Sequence, residues 1–571
     1  MAESLSTDAL EWALKHIQRF GDSDFFPRSF EFDAITHCWN RIRHELEGLD
    51  LCEYRPKSPR RMVVPKSGTD FRVVAQLDPI DALVYTAMVY EVSELLEAAR
   101  IPAERQIACS YRIVPDERGS WFPPTTGWPE FHGRSKTLAE SGEFNFVVVA
   151  DITDFYNQAS QHRIENALEQ AGVSESRAKA IEEFLSALSA KHSRGLPVGP
   201  SASIVLAEAC MNDVDGRLLR RGLEFTRYVD DFRIFCRTYE DAVLVLHDLC
   251  DYLYTAHRLT LNASKTRIDS CEDFIERELR DPEEEEERGE FRRLSELIDE
   301  LLESVGYDAF IESDSFDDLI DDDTKKKAIR DNIAELFEAC VKMDKLHLGI
   351  ARHLLRRASH LRTNVLNRIA IGNLRALVPV LRDVANYLKA TSKVTVTKKK
   401  KIIRFFETDA LGSLAFGRMW GIEIIRSIDG LADSQTAMRL AESSPKDIAS
   451  RLEALVAERF QIVDWVRERK ENWSTFGSWE RRAVIFSASA LPRDERNSWL
   501  GMIEEGGDSL DAAVASFVKS TASTSRMKKS ASGKKGLNSK TSKSMATPNG
   551  MKSGSMAPKK GGLKGKGKGS K

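Results

Sequence analysis

Apolar residues recur at helical spacing through Leu10–Phe20 and Phe30–Leu46, so the chain opens on amphipathic helices. Proline-punctuated basic text from Tyr54 to Arg72 breaks that period and predicts a loop or hairpin. Asp81–Arg100 returns to a helix, and residues 105–143, rich in Gly, Pro and aromatics, read as irregular. Phe144–Ile152 is an apolar, β-branched run and predicts a buried strand. Helical text follows at Gln161–Gln170 and Ser174–His192, a Gly/Pro break at Gly195–Ser203, and a helix at Ile204–Gly222. Leu223–Thr238 places two short β-prone stretches around a double aspartate, which predicts a hairpin, and Tyr239–Leu259 is helical again. Strand, helices, hairpin and helix in that order predict an α+β domain. From Glu276 to Ile503 nearly every segment is helical, with no clean fixed-period repeat.

Charge changes the picture at one end. The whole chain of 571 residues has a net charge of −4, but Lys519–Lys571 holds 15 Lys or Arg and no acid. The remainder carries 69 basic against 88 acidic residues, a net of −19. The Lys/Gly/Ser tail cannot build a core and is expected to be disordered. The acidic runs at 281–290 and 313–323 are expected to be solvated. No apolar run approaches the roughly 18 residues of a spanning helix, and the first residues lack the pattern of an export signal. The eight cysteines never form CxxC and the 11 histidines show no HExxH, so a cytoplasmic protein without membrane contact or zinc is expected. The expected layout is a helical segment at 1–50, an α+β domain at 51–275, helices at 276–515 and the tail at 516–571.

The chemistry lies in three acids. Asp151 ends the apolar strand, and Asp230 and Asp231 sit together between apolar strand halves. Uncompensated buried charge costs several kcal/mol, on the order of what a cation would offset. Divalent cations held by carboxylates would explain both features. Either feature alone is more often a turn or helix cap. Their order within 80 residues, around a Gly/Pro break, is what points to a site.

These motifs resemble the reverse transcriptases over roughly residues 50–270. Asp151-Ile152-Thr153-Asp154-Phe155-Tyr156 is similar to the family's first catalytic motif, and Tyr228-Val229-Asp230-Asp231 to its Tyr-x-Asp-Asp hairpin. Gly195–Gly199 through Ser203 resembles the motif between them, Lys66–Arg72 the basic fingers motif, and Leu261–Thr266 the lysine-bearing segment after the hairpin. Arg194, Val198 and Ile204 depart from the family's usual Gln, Gln and Pro. The wording around Gly195–Ser203 and Arg227–Phe232 resembles the bacterial abortive-infection and unknown-group enzymes of antiphage defence, in which a helical domain replaces the thumb.

The resemblance implies a fingers/palm polymerase followed by an all-α region of the kind that is often repeat-like in this group. It implies two Mg²⁺ ions at Asp151, Ile152, Asp230 and Asp231, with the three aspartates catalytic. Tyr156 would exclude a ribose 2′-hydroxyl and favour dNTPs. Lys66 and Arg72 would meet triphosphate or template. Gly199, with Ser203, would admit the template–nucleotide pair, and Lys265 would serve as acid toward pyrophosphate. It further implies DNA synthesis, sometimes untemplated or primed on a protein hydroxyl (Tyr54 is one of eleven tyrosines), an RNA template or associated noncoding RNA, a DNA product and a homo-oligomer. Arg352, Arg356 and Arg357 form a basic stripe that is either a nucleic-acid track or a solvated helix face. An RNA-templated RNA polymerase and an inactive palm acting as a nucleic-acid-binding scaffold stand as alternatives.

Overall fold

The computed structural model describes residues 3–67, 70–123, 127–189, 192–279, 323–343, 346, 348–391 and 395–521. The acidic run at 281–290, nearly all of that at 313–323 and the basic tail beyond residue 521 lie outside them. Met1–Lys519 forms one compact unit; the second, Ser520–Lys571, falls almost wholly outside the described residues. No helix among the described residues is long and apolar enough to cross a membrane.

The basic segment folds as an antiparallel hairpin, β1 (Arg60–Ser67) against β2 (Asp70–Gln76), in register Arg60↔Gln76. The apolar run becomes β3 (Phe146–Asp151), and the double aspartate joins β4 (Glu224–Tyr228) to β5 (Asp231–Cys236). With β6 (Arg267–Ser270) these form a four-stranded antiparallel sheet in the order β4-β5-β3-β6. Sequence periodicity does not find β6. Its four residues are mostly polar, and it is a strand because β3 offers it an edge from Phe146↔Ser270 to Val149↔Arg267.

The helix Pro79–Ala98 is apolar nearly all round and lies buried against the helices Thr7–Phe20 and Ser201–Cys210. The irregular stretch expected at 105–143 needs correction, because Trp128–Glu140 is a helix. Its start depends on Gly127, at φ +80°, where a Cβ would fall 1.8 Å from the Cys109 carbonyl oxygen. That close approach lets the helix lie on β4 and bury Phe131. Tertiary packing, not local period, makes the element.

Two apolar cores organise the unit. One surrounds the sheet and takes in the N-terminal helix and helices near the end of the unit, through Val518. The other lies within the C-terminal helices and includes Phe26, Met62, Val64 and Val74. The inner face of the β1–β2 hairpin is therefore buried against the C-terminal helices. Buried ion pairs reinforce that junction. Glu31 accepts from Arg451 at 2.7 and 2.9 Å and from Arg482 at 3.3 Å, while Arg482 Nη1 lies 3.0 Å from Asp78. Burial opposes the Glu31 charge, but Arg451 and Arg482 prevail and hold its pKa down at about 2.

Candidate active site

Strand pairing brings the three acids together. Asp151 at the end of β3 pairs in register with Asp231 at the start of β5. Tyr228 pairs with Asp231 across the hairpin, so Val229 and Asp230 are its two-residue turn. Val229 has φ +56°, a conformation that a two-residue turn normally gives to glycine. The Asp230 carbonyl accepts from the Ile152 N–H at 3.2 Å, which ties the turn to the strand beside it.

The electrostatics of the cluster are those of crowded carboxylates. Asp230 is pushed up to about 6, first by burial and then by Asp151. Asp231 is raised by burial, Asp230 and Asp151 together. Lys265 Nζ donates to Asp151 Oδ2 at 2.6 Å. The chain delivers that lysine by running residues 260–262 beside β3: Asn262 N donates to Asp151 O at 2.8 Å and Thr153 N to Thr260 O at 2.9 Å. Asn262 then turns the backbone, its carbonyl accepting from the N–H groups of Lys265 and Thr266.

This donor set suits hard divalent cations, for it is all oxygen, acidic and short of positive charge. The ligands are not gathered in advance: among the described residues no three His, Cys, Asp or Glu side chains stand at ligand spacing. Asp151 is instead engaged by Lys265. Ile152 is buried and its side chain is apolar, so only its backbone oxygen could join a metal.

The remaining predicted residues fall into three groups. Tyr156, half-buried in the short helix Phe155–Gln158, feels the charge of Asp230: its pKa is raised by burial, then by Glu208, Tyr111 and Asp230. Arg72 lies over the Phe25 ring at 5.8 Å, its pKa lowered by burial and then by Arg352, against the pull of Asp230. Lys66 is half-exposed, 3.8 Å from Asp70. A second group acts on the loop between the catalytic motifs. Ser203 is buried, donates to Pro197 O at 2.7 Å and meets the Tyr85 hydroxyl at 3.1 Å, so it braces the loop. Gly199 has φ +138°, and a Cβ there would meet Ser23 Oγ at 2.7 Å and Ala75 O at 3.1 Å. The close approach that this glycine permits is to the N-terminal segment and to β2. In the third group, Arg352 and Arg356 lie on the helix Leu348–His360 and share Asp383, at 3.7 and 2.8 Å. Arg357 follows on the same helix, and Arg352 acts electrostatically on Arg72.

Sequence reasoning missed the support beneath the hairpin. Arg227, Glu208, Asp215 and Arg100 have fully buried side chains and pair with one another. Charges inside apolar text were the available signal: Glu208 interrupts an otherwise apolar helix, and Arg227 sits inside a buried strand. Trp128 and Phe131 of the missed helix also pack on Tyr228, with ring centroids 4.9 and 5.7 Å away.

Residues 64–288 match the family model described as reverse transcriptase (RNA-dependent DNA polymerase). No curated protein matches the chain. Similar solved structures include telomerase from Candida albicans with a TWJ fragment of telomeric RNA: 12% identity, 66% of this chain and 68% of that one, TM-score 0.28. Another is apo telomerase from Candida tropicalis: 10% identity, 71% and 69% coverage, TM-score 0.29. The chain thus contains, at residues 64–288, a reverse transcriptase domain, an RNA-directed DNA polymerase of the nucleotidyltransferase class.

Proposed function

We propose that this domain adds dNTPs to a hydroxyl by a two-metal reaction using Mg²⁺, in bacterial antiphage defence. The observation that carries the chemistry is the in-register pairing of Asp151 with Asp231, which sets Asp230 beside them in a partly buried, mutually repelling cluster. Asp151, Asp230, Asp231 and the Ile152 backbone would hold the ions. When bound, such ions neutralise triphosphate charge and raise the nucleophilicity of the attacking hydroxyl. Arg72 and Lys66 supply further positive charge at the same cleft, and Tyr156 forms the wall against a ribose 2′-hydroxyl. RNA is the template or a bound noncoding partner, with Arg352 extending the basic lining from the C-terminal helices. The defence role is supported by the motif wording and by the all-helical region after the palm. A homo-oligomer accompanies this reading.

One observation favours a second reading, synthesis without a template: Ser23 and Ala75 crowd the face of Gly199 expected to admit the template–nucleotide pair. The test is dNTP incorporation by the purified full chain with Mg²⁺, with and without co-purified RNA, beside an Asp230→Ala/Asp231→Ala control. Incorporation abolished in the control supports the polymerase, and loss on RNase treatment separates templated from untemplated synthesis. No incorporation under any condition, with RNA still bound, would favour the scaffold alternative.

A further inference from the structure

Val229 occupies the left-handed region at φ +56°, at the tip of the hairpin that presents Asp230. A β-branched residue there costs about 1–3 kcal/mol unless the surroundings over-determine it. Both of its backbone groups are captured. Its N–H donates to Ser110 Oγ at 2.9 Å, and its carbonyl accepts from Arg227 Nη1 at 2.9 Å.

Those two partners are themselves held. Arg227 grips Asp215 through both arms of its guanidinium, Nε to Oδ1 at 2.7 Å and Nη2 to Oδ2 at 2.6 Å. Its Nη1 also reaches Glu208 Oε2 at 3.1 Å. Ser110 Oγ donates to Glu208 Oε1 at 2.5 Å, and Arg100 Nη2 reaches Glu208 Oε2 at 2.8 Å. Residues 107–109 deliver Ser110 by running beside β4, with Arg227 N donating to Ile107 O at 2.7 Å and Cys109 N to Arg227 O at 3.0 Å. Two arginines and two carboxylates leave the cluster neutral, so it can be dry. Buried ion pairs are often no more stabilising than an apolar cluster of equal volume, so stability alone does not account for this one. Its aim does: the network ends on the two backbone groups of a single strained residue.

We propose that Arg227 and Ser110, set by Glu208 and Asp215, are positioning residues that clamp Val229 in its left-handed conformation and thereby hold Asp230 at the reaction centre. The proposal rests on the polymerase reading for its consequence, but the clamp can be measured without it. A smaller hydroxyl-free residue at 110, or a shorter cation at 227, should free the turn. Glycine at 229 should remove the need for the clamp, since glycine holds that conformation without restraint.

The experiment compares full-length wild type with Ser110→Ala, Arg227→Lys, Val229→Gly and the Ser110→Ala/Val229→Gly double variant. Hydrogen exchange of peptides covering 228–231, dNTP incorporation and the melting midpoint are measured on each. Ser110→Ala should speed exchange in the turn at least tenfold and lower kcat about tenfold, with KM for dNTP and the melting midpoint nearly unchanged. In the Val229→Gly background the same substitution should change kcat less than threefold. Unchanged exchange in Ser110→Ala would overturn the clamp, as would an equal loss of kcat in both backgrounds. A loss of activity in Arg227→Lys that only tracks its melting midpoint would make Arg227 a structural residue and overturn its part. Wild type without incorporation would defeat the polymerase reading, while turn exchange would still decide the clamp.

Discussion

Lys265 Nζ lies 2.6 Å from Asp151 Oδ2, and Asp151 in turn faces Asp231 across paired strands. The Lys265 ammonium thus tempers carboxylates whose charged forms burial and mutual repulsion disfavour. On the proposed two-metal reading, the lysine would compete with a divalent cation for Asp151 and would turn toward pyrophosphate once a cation takes its place.

Removing that ammonium has an expected sign. Lys265→Met should lower the stability of the metal-free protein, by at most about 1 kcal/mol because the lysine is half-exposed. It should also sharpen stabilisation by Mg²⁺, since the carboxylates lose their internal partner. Thermal melts in EDTA and in excess Mg²⁺ measure both. Equal melting shifts with metal in the variant and wild type would refute the competition.

The raised acids predict a pH dependence for the metal-free protein. Asp230 is neutralised more readily when folded, about 6 against an ordinary 3.8. The folded state therefore binds the extra proton, and stability in EDTA should fall as pH rises from about 4 through about 6. Divalent cations bind the ionised form, so the stabilisation gained from Mg²⁺ should grow over the same interval. Asp230→Asn should flatten both trends. Melting midpoints at several pH values, with EDTA or Mg²⁺, provide the check.

On the proposed reading, Tyr156 walls the sugar site and should set sugar selectivity. Tyr156→Ala is expected to raise rNTP use relative to dNTP by at least tenfold, on the order of the 1–3 kcal/mol that a shape-based pocket commands. Competition between dGTP and GTP incorporation measures the ratio. An unchanged ratio would remove Tyr156 from the sugar site.

Glu31 joins the N-terminal segment to the C-terminal helices through two buried arginines. Glu31→Gln leaves Arg451 and Arg482 without that charge and should cost about 3–5 kcal/mol, the scale for breaking a buried pair. Arg55, whose guanidinium pairs with Glu183 with its side chain about half exposed, serves as control: Arg55→Gln should cost about 1 kcal/mol or less. Denaturant titration of the two variants compares them directly. A small loss in Glu31→Gln would mean that the junction is held by its apolar contacts.

The order of elements and the three acids were legible along the chain, because each depends on neighbours in sequence. An apolar run ending at Asp151 is a strand whatever surrounds it, and two acids between β-prone halves imply a hairpin. The helix Trp128–Glu140, the strand Arg267–Ser270 and the buried charges at Glu208, Asp215 and Arg227 could not be read that way. Each exists through a partner far along the chain: Cys109 beneath Gly127, β3 beside β6, Arg100 and Ser110 against Glu208. The face of Gly199 also changed meaning once Ser23 was found against it. Residue type alone determined which groups could do the chemistry; the tertiary structure decided which of them meet, since burial and strand register set the charges that local sequence only supplies.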